Sequence, residues 1–99
     1  MSTLTPEGKV KRAIGALLRS YPGIYYVMPV PGGYGASTLD YLGICAGRGF
    51  GIEAKRPGGK PSMRQLGIIE NIERAGGRVF VIDGPAGLAD LEGWIKQCL

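Results

Sequence analysis

Two strand-like segments around a glycine turn, then a capped helix, then another apolar strand, constrain the fold of this chain most. Leu39 to Ile44 is apolar and strand-like; Gly47, Arg48 and Gly49 supply a turn; Phe50 to Lys55 alternates as the next strand. Ser62 follows with Gln65 three residues on, the pattern of a capping box. Leu66, Ile69 and Ile72 or Glu73 carry that helix to Gly76-Gly77, a natural stop. Arg78 to Asp83 then reads as a short buried strand. A hairpin whose second strand is linked by a helix to the following strand implies a parallel crossover. The expected sheet is therefore mixed, with helices on its faces.

The flanking segments extend this plan. Thr5-Pro6 opens a helix, with threonine as N-cap and proline at the first position. Val10, Ile14, Leu17 and Leu18 form its apolar stripe, and Glu7 lies on that stripe, pointing toward the core side. An acid in the first turn also favours the helix dipole and needs no other purpose. Lys9, Lys11, Arg12 and Arg19 mostly take the other faces. Tyr25 to Val30 reads as the first strand, followed by a loop from Pro31 to Ser37. Leu88 to Leu99 is a final amphipathic helix with Leu91 and Ile95 inward, and Arg56 to Pro61 a basic loop expected to stay mobile until it meets a partner. The element order is α-β-β-β-α-β-α in a single α/β domain spanning residues 1–99.

Composition excludes several chemistries. The chain has no histidine, which removes histidine general bases, Ser-His-Asp triads and Cys/His zinc sites. With only two cysteines a disulfide framework is not expected, and Cys45 reads as a buried small hydrophobe. The 18 glycines fall in short clusters that suit tight turns. No apolar run approaches the roughly 20 residues of a membrane helix, and the start carries no signal-peptide pattern, so a cytoplasmic protein without a membrane partner is expected. A net charge of +4 favours polyanionic partners.

Acid-base chemistry must then come from carboxylates, lysine, tyrosine or water on a metal. Glu53 and Lys55, two apart on a strand, share a face. If the turn holds two residues, Asp40 lies opposite Glu53 or Lys55 and joins that face; a three-residue loop without a bulge sends it to the other side. Two converging carboxylates repel unless something positive lies between them. Mg²⁺ or Mn²⁺ suits that role, because such ions prefer oxygen ligands and keep several waters. A neighbouring lysine can orient a water or steady charge on a phosphate. The plainer alternative is a salt bridge of Asp40 or Glu53 with Lys55 on a solvated face. Gly47-Arg48-Gly49-Phe50-Gly51 and Gly58-Gly59-Lys60-Pro61-Ser62 resemble nucleotide-binding loops only superficially and are better read as turns.

An inward acid on the first helix, then Asp40, then Glu53-Ala54-Lys55 on a hairpin, then Gln65 in the next helix, resembles the PD-(D/E)xK nuclease superfamily. Within it the chain is most similar to the compact VRR-NUC (virus-type replication-repair nuclease) domains. The similarity runs through Gly35, Asp40-Tyr41-Leu42, Gly51 to Lys55, Ser62, Gln65 and Gly76-Gly77-Arg78-Val79. Leu39 stands where the name motif has proline. The resemblance implies a restriction-endonuclease-like core and a metal-dependent, structure-specific DNA endonuclease. It also implies a source in a phage or mobile element, hence the cytoplasm of the host cell. Asp40 and Glu53 would bind Mg²⁺ or Mn²⁺ with the Ala54 carbonyl, and Glu7 would complete the shell. Lys55 would position or deprotonate the attacking water, and Gln65 would orient Lys55 or that water. The products would be a 5′-phosphate and a 3′-hydroxyl.

The basic residues fit that reading. Arg56, Lys60 and Arg64 flank the catalytic strand, and Lys9 and Arg12 lie near Glu7; all five are expected to hold DNA phosphates. No base-reading motif is evident, so structure rather than sequence should be recognised, as in a Holliday-junction or branched-DNA resolvase. Stand-alone members of the resembled family act as homodimers, and Trp94, Ile95 and Leu99, or Tyr25 and Tyr26, are candidate contacts. A non-catalytic nucleic-acid-binding module on the same fold, and a small regulatory protein with a surface charge network, are the alternatives.

Overall fold

In the computed structural model, which describes residues 3–30 and 37–99, the chain runs α1 (Pro6–Arg19), β1 (Ile24–Val27), β2 (Tyr41–Cys45), β3 (Arg48–Ala54), α2 (Met63–Arg74), β4 (Arg78–Ile82) and α3 (Pro85–Cys98). The expected loop 31–37 falls outside the described residues except for Ser37, as does Gly35. One sheet of order β1-β2-β3-β4 forms, antiparallel for the first two pairings and parallel between β3 and β4. The expected element order and the mixed sheet are both found.

Local chemistry explains the boundaries. Thr5 caps α1 by accepting the Gly8 N–H at 3.0 Å, with Pro6 at the first position. Strand β1 stops at Val27 rather than the expected Val30, and Pro29, which has no N–H to give a ladder, follows. Helix α3 starts at Pro85 rather than Leu88, because proline is pre-set for the first helical position even where Gly84 offers no capping side chain. The hairpin turn is Ala46-Gly47, one residue earlier than expected, and Arg48 and Gly49 belong to β3. Both turn residues take positive φ, 51° and 81°, the two-residue geometry whose twist matches that of the flanking strands.

Helices α1 and α3 cover one face of the sheet. Val10, Ile14 and Leu18 meet Leu91 and Ile95 over Tyr41, Cys45, Phe50, Ile52, Phe80 and Ile82. Burying each large side chain of this set is worth roughly 1.5–3 kcal/mol. Trp94 wedges edge-on against Phe50 and Phe80, with ring centroids 5.7 and 5.6 Å away. Gly43 lets β1 and Phe50 close in: a Cβ there would stand 2.5 Å from both the Tyr25 carbonyl oxygen and Phe50 Cζ.

Helix α2 lies on the opposite face, over β3 and β4. Gly51 admits it, since a Cβ there would meet Leu39 and Ile72 at 3.0 and 3.3 Å. This layer is thin: no α2 residue is fully buried, and Tyr25 and Ile44 on the β1–β2 half stay exposed. Gly51 and Glu53 share that face, so α2 is the element that roofs the acid.

Candidate active site

Asp40 sits one residue before β2, and the register that pairs Tyr41 with Ile52 extends to set it opposite Glu53. The two-residue turn thus selects the arrangement the sequence left open. The Asp40 carboxylate does more than join a face: its Oδ2 accepts the Ala54 N–H at 2.9 Å, in place of a ladder carbonyl. A strand residue's N–H and C=O leave on the same edge, so the Ala54 carbonyl is directed to the Asp40 side as well.

Glu53 is the single buried charged residue among those described, 4% exposed, and its Oε2 collects two donors. Gln65 Nε2 donates to it at 2.7 Å, and Lys55 Nζ lies 3.3 Å away. The capping box fixes which way the amide faces. Gln65 Oε1 accepts the Ser62 N–H at 2.9 Å and Ser62 Oγ accepts the Gln65 N–H at 3.2 Å, which leaves the amide nitrogen for Glu53. One residue therefore starts the helix and holds the acid. Lys55 lies just past β3, but its N–H still donates to the Ile82 carbonyl at 2.9 Å, so its backbone is held as firmly as a strand's. Burial and, next, the negative charge of Asp40 push the Glu53 carboxyl above its usual range; Lys55 and the Asp40 backbone N–H oppose this without reversing it.

Glu7 does not point into the core as its place on the apolar stripe implied. Its side chain is 43% exposed and faces Lys11, one turn along, at 3.9 Å. Lys11 in turn lies 3.6 Å from Asp40 Oδ1, so it stands between the two acids. Sequence reading put Lys11 on the solvent faces and missed this role; the Glu7–Lys11 spacing of four was the available signal. The buried Tyr41 hydroxyl donates to the Lys11 carbonyl at 3.0 Å and fixes this turn of α1 over the start of β2.

Asp40, Glu53, Lys55, Gln65 and the Ala54 carbonyl edge therefore come together, and Glu7 reaches them only through Lys11. Among the described residues no group of three or more Asp, Glu, His or Cys side chains is disposed to hold a metal. The donors that do converge are all oxygen, two carboxylates and a carbonyl edge, and they repel one another. That set fits a hard cation keeping several of its waters.

The five expected phosphate contacts divide. Arg56, Lys60, Arg64 and Arg12 are exposed. Arg64 Nη1 donates to Ser37 Oγ at 2.7 Å, tying α2 to the segment that leads into Asp40. Lys9 is exposed and borders a cleft with Pro6, Val10, Pro57 and Asp83. The Arg56 loop, expected to be mobile before it meets a partner, forms a hydrogen-bonded turn. Gly59 N–H donates to the Arg56 carbonyl at 2.8 Å around Gly58 at φ 80°, and Asp83 Oδ2 accepts the Gly58 N–H at 3.0 Å. This is a type II turn pinned to the end of β4.

Of the candidate dimer contacts, Ile95 is fully buried, Trp94 is packed against Phe50 and Phe80, and Tyr26 is half-buried beside Tyr41. Tyr25 (69% exposed) and Leu99 (58%) remain available. No helix among the described residues is long and apolar enough to cross a membrane. Comparison with protein-family models and with curated proteins gives no match for this chain.

Proposed function

We propose that this chain is a Mg²⁺- or Mn²⁺-dependent endonuclease on a restriction-endonuclease-like core, hydrolysing phosphodiester bonds in branched or four-way-junction DNA. The observation that carries this reading is the meeting of Asp40, Glu53, Lys55 and Gln65 at the open end of β2 and β3. Asp40, Glu53 and the Ala54 carbonyl would hold the cation. When bound, it supplies Lewis-acid polarisation of a phosphate oxygen and hydroxide near neutral pH.

The remaining work belongs to the chain. Gln65 donates to Glu53 and the Ala54 N–H to Asp40, contacts that favour the rotamers in which the two acids meet. The Lys55 side chain is 16% exposed and sets its ammonium 3.3 Å from Glu53 Oε2. It would orient the attacking water and offset charge gathering on the scissile phosphate. Arg56, Lys60 and Arg12 would meet flanking phosphates without reading bases. A homodimer through the Tyr25 edge would bring two sites to two strands.

A labelled four-way junction and a linear duplex of the same sequence, incubated with Mg²⁺ or Mn²⁺, test this reading. Cleavage of the junction that disappears with chelator and in Asp40→Asn is expected. Tight junction binding without cleavage would favour a non-catalytic nucleic-acid-binding module. The pairing of Asp40 and Glu53 with lysines in the structure is the observation in favour of that second reading.

A further inference from the structure

We infer that Lys11 is a built-in monovalent substitute for a second metal ion, and that it limits this site to one divalent cation. The inference rests on the nuclease reading above and concerns how many cations its acids take. Lys11 Nζ stands 3.6 Å from Asp40 Oδ1 and 3.9 Å from Glu7 Oε2, the place a second cation would need in order to use Glu7. The backbone from which Lys11 and Glu7 reach is held in place. Tyr41, fully buried, anchors the Lys11 carbonyl, and Thr5 caps the turn that carries Glu7.

Charge leads to the same stoichiometry. A second divalent cation beside Asp40 and Glu7 would have to approach the Lys11 ammonium or displace it, and like charge opposes that approach. The lysines also divide the space. Lys55 follows Glu53, which lies beneath α2, whereas Lys11 comes from α1 on the opposite face of the sheet. A phosphate entering at the strand ends would meet an ammonium group from each side.

Mn²⁺ titration of the full chain, followed by the loss of free-ion electron paramagnetic resonance signal, decides this. Wild type is expected to take up one equivalent. Lys11→Met keeps a good helix former at a partly exposed position, so folding is retained. It is expected to take up a second equivalent, and Lys11→Met combined with Glu7→Gln to return to one. Two equivalents in wild type, or one in Lys11→Met, would overturn the inference while leaving the nuclease reading standing. No uptake by any variant would instead remove the nuclease reading, and this inference with it.

Discussion

Replacing Glu53 with glutamine separates what the buried carboxylate does for chemistry from what it does for the fold. The Lys55–Glu53 pair at 3.3 Å is worth a gross attraction of about 5 kcal/mol at an effective dielectric constant of 20. Taking both groups from water costs several kcal/mol per ion, and Asp40 adds repulsion. The raised carboxyl of Glu53 shows which side wins: ionisation is less favourable in the folded protein than in the open chain. A neutral isostere removes the attraction, the Glu53 penalty and the Asp40 repulsion together, and leaves Lys55 with its own cost. It keeps an acceptor for Gln65 Nε2, losing only the charge assistance of that bond, about 1 kcal/mol. Glu53→Gln should therefore melt at or above the wild-type temperature at pH 7. A gain of about 1 kcal/mol would appear as about 4–8 °C in a domain of this size. Cleavage should be abolished in the same sample. The sign also sets the pH dependence. Because the folded-state value is raised, wild type holds its full contribution below the ordinary carboxyl value near 4.5 and loses it as pH rises through the native one. The two proteins should thus differ most at neutral pH and converge in acid. Calorimetry from pH 4 to 8 reads both effects. A fall in melting temperature of more than about 4 °C at pH 7, or a gap that widens in acid, would refute the reasoning.

Three further outcomes are expected. Gly43→Ala drives a methyl group into the Tyr25 carbonyl and the Phe50 ring, so chemical denaturation should show a loss of about 1–3 kcal/mol or more. Lys55→Ala should lower single-turnover cleavage about 10²–10³-fold while changing the Mn²⁺ dissociation constant far less, since in the proposed reaction the ammonium would act on water and phosphate rather than on the cation. Arg56→Ala should reduce the salt dependence of junction binding by about 0.9 in log–log slope, the release of one condensed counterion.

Much of the fold is legible in the chain because its punctuation is local. Thr5-Pro6, Ser62 with Gln65, and Gly76 mark helix ends through groups that act within one turn, and the structure uses all of them. The hairpin turn was harder. Ala46 takes the left-handed conformation usually left to glycine or asparagine, and the glycines at 47 and 49 pointed one residue downstream. At the site, alternation gathers Glu53 and Lys55 and the capping pattern places Gln65 at the adjoining helix start, whereas Asp40 joins them only because the turn holds two residues, which alternation alone left open. Glu7 and Lys11 come from a helix on the other face. The meeting of Lys11 with Asp40 depends on how α1 is set down over β2 by the Tyr41 hydroxyl, a long-range contact that periodicity does not encode.

The most direct test is a crystal of the full chain soaked in Mn²⁺ and measured at the manganese absorption edge. An anomalous peak in contact with Asp40, Glu53 and the Ala54 carbonyl, with Lys11 still between Asp40 and Glu7, is the predicted result. A map with no peak there, and both acids still paired with Lys11 and Lys55 at saturating Mn²⁺, would contradict the account.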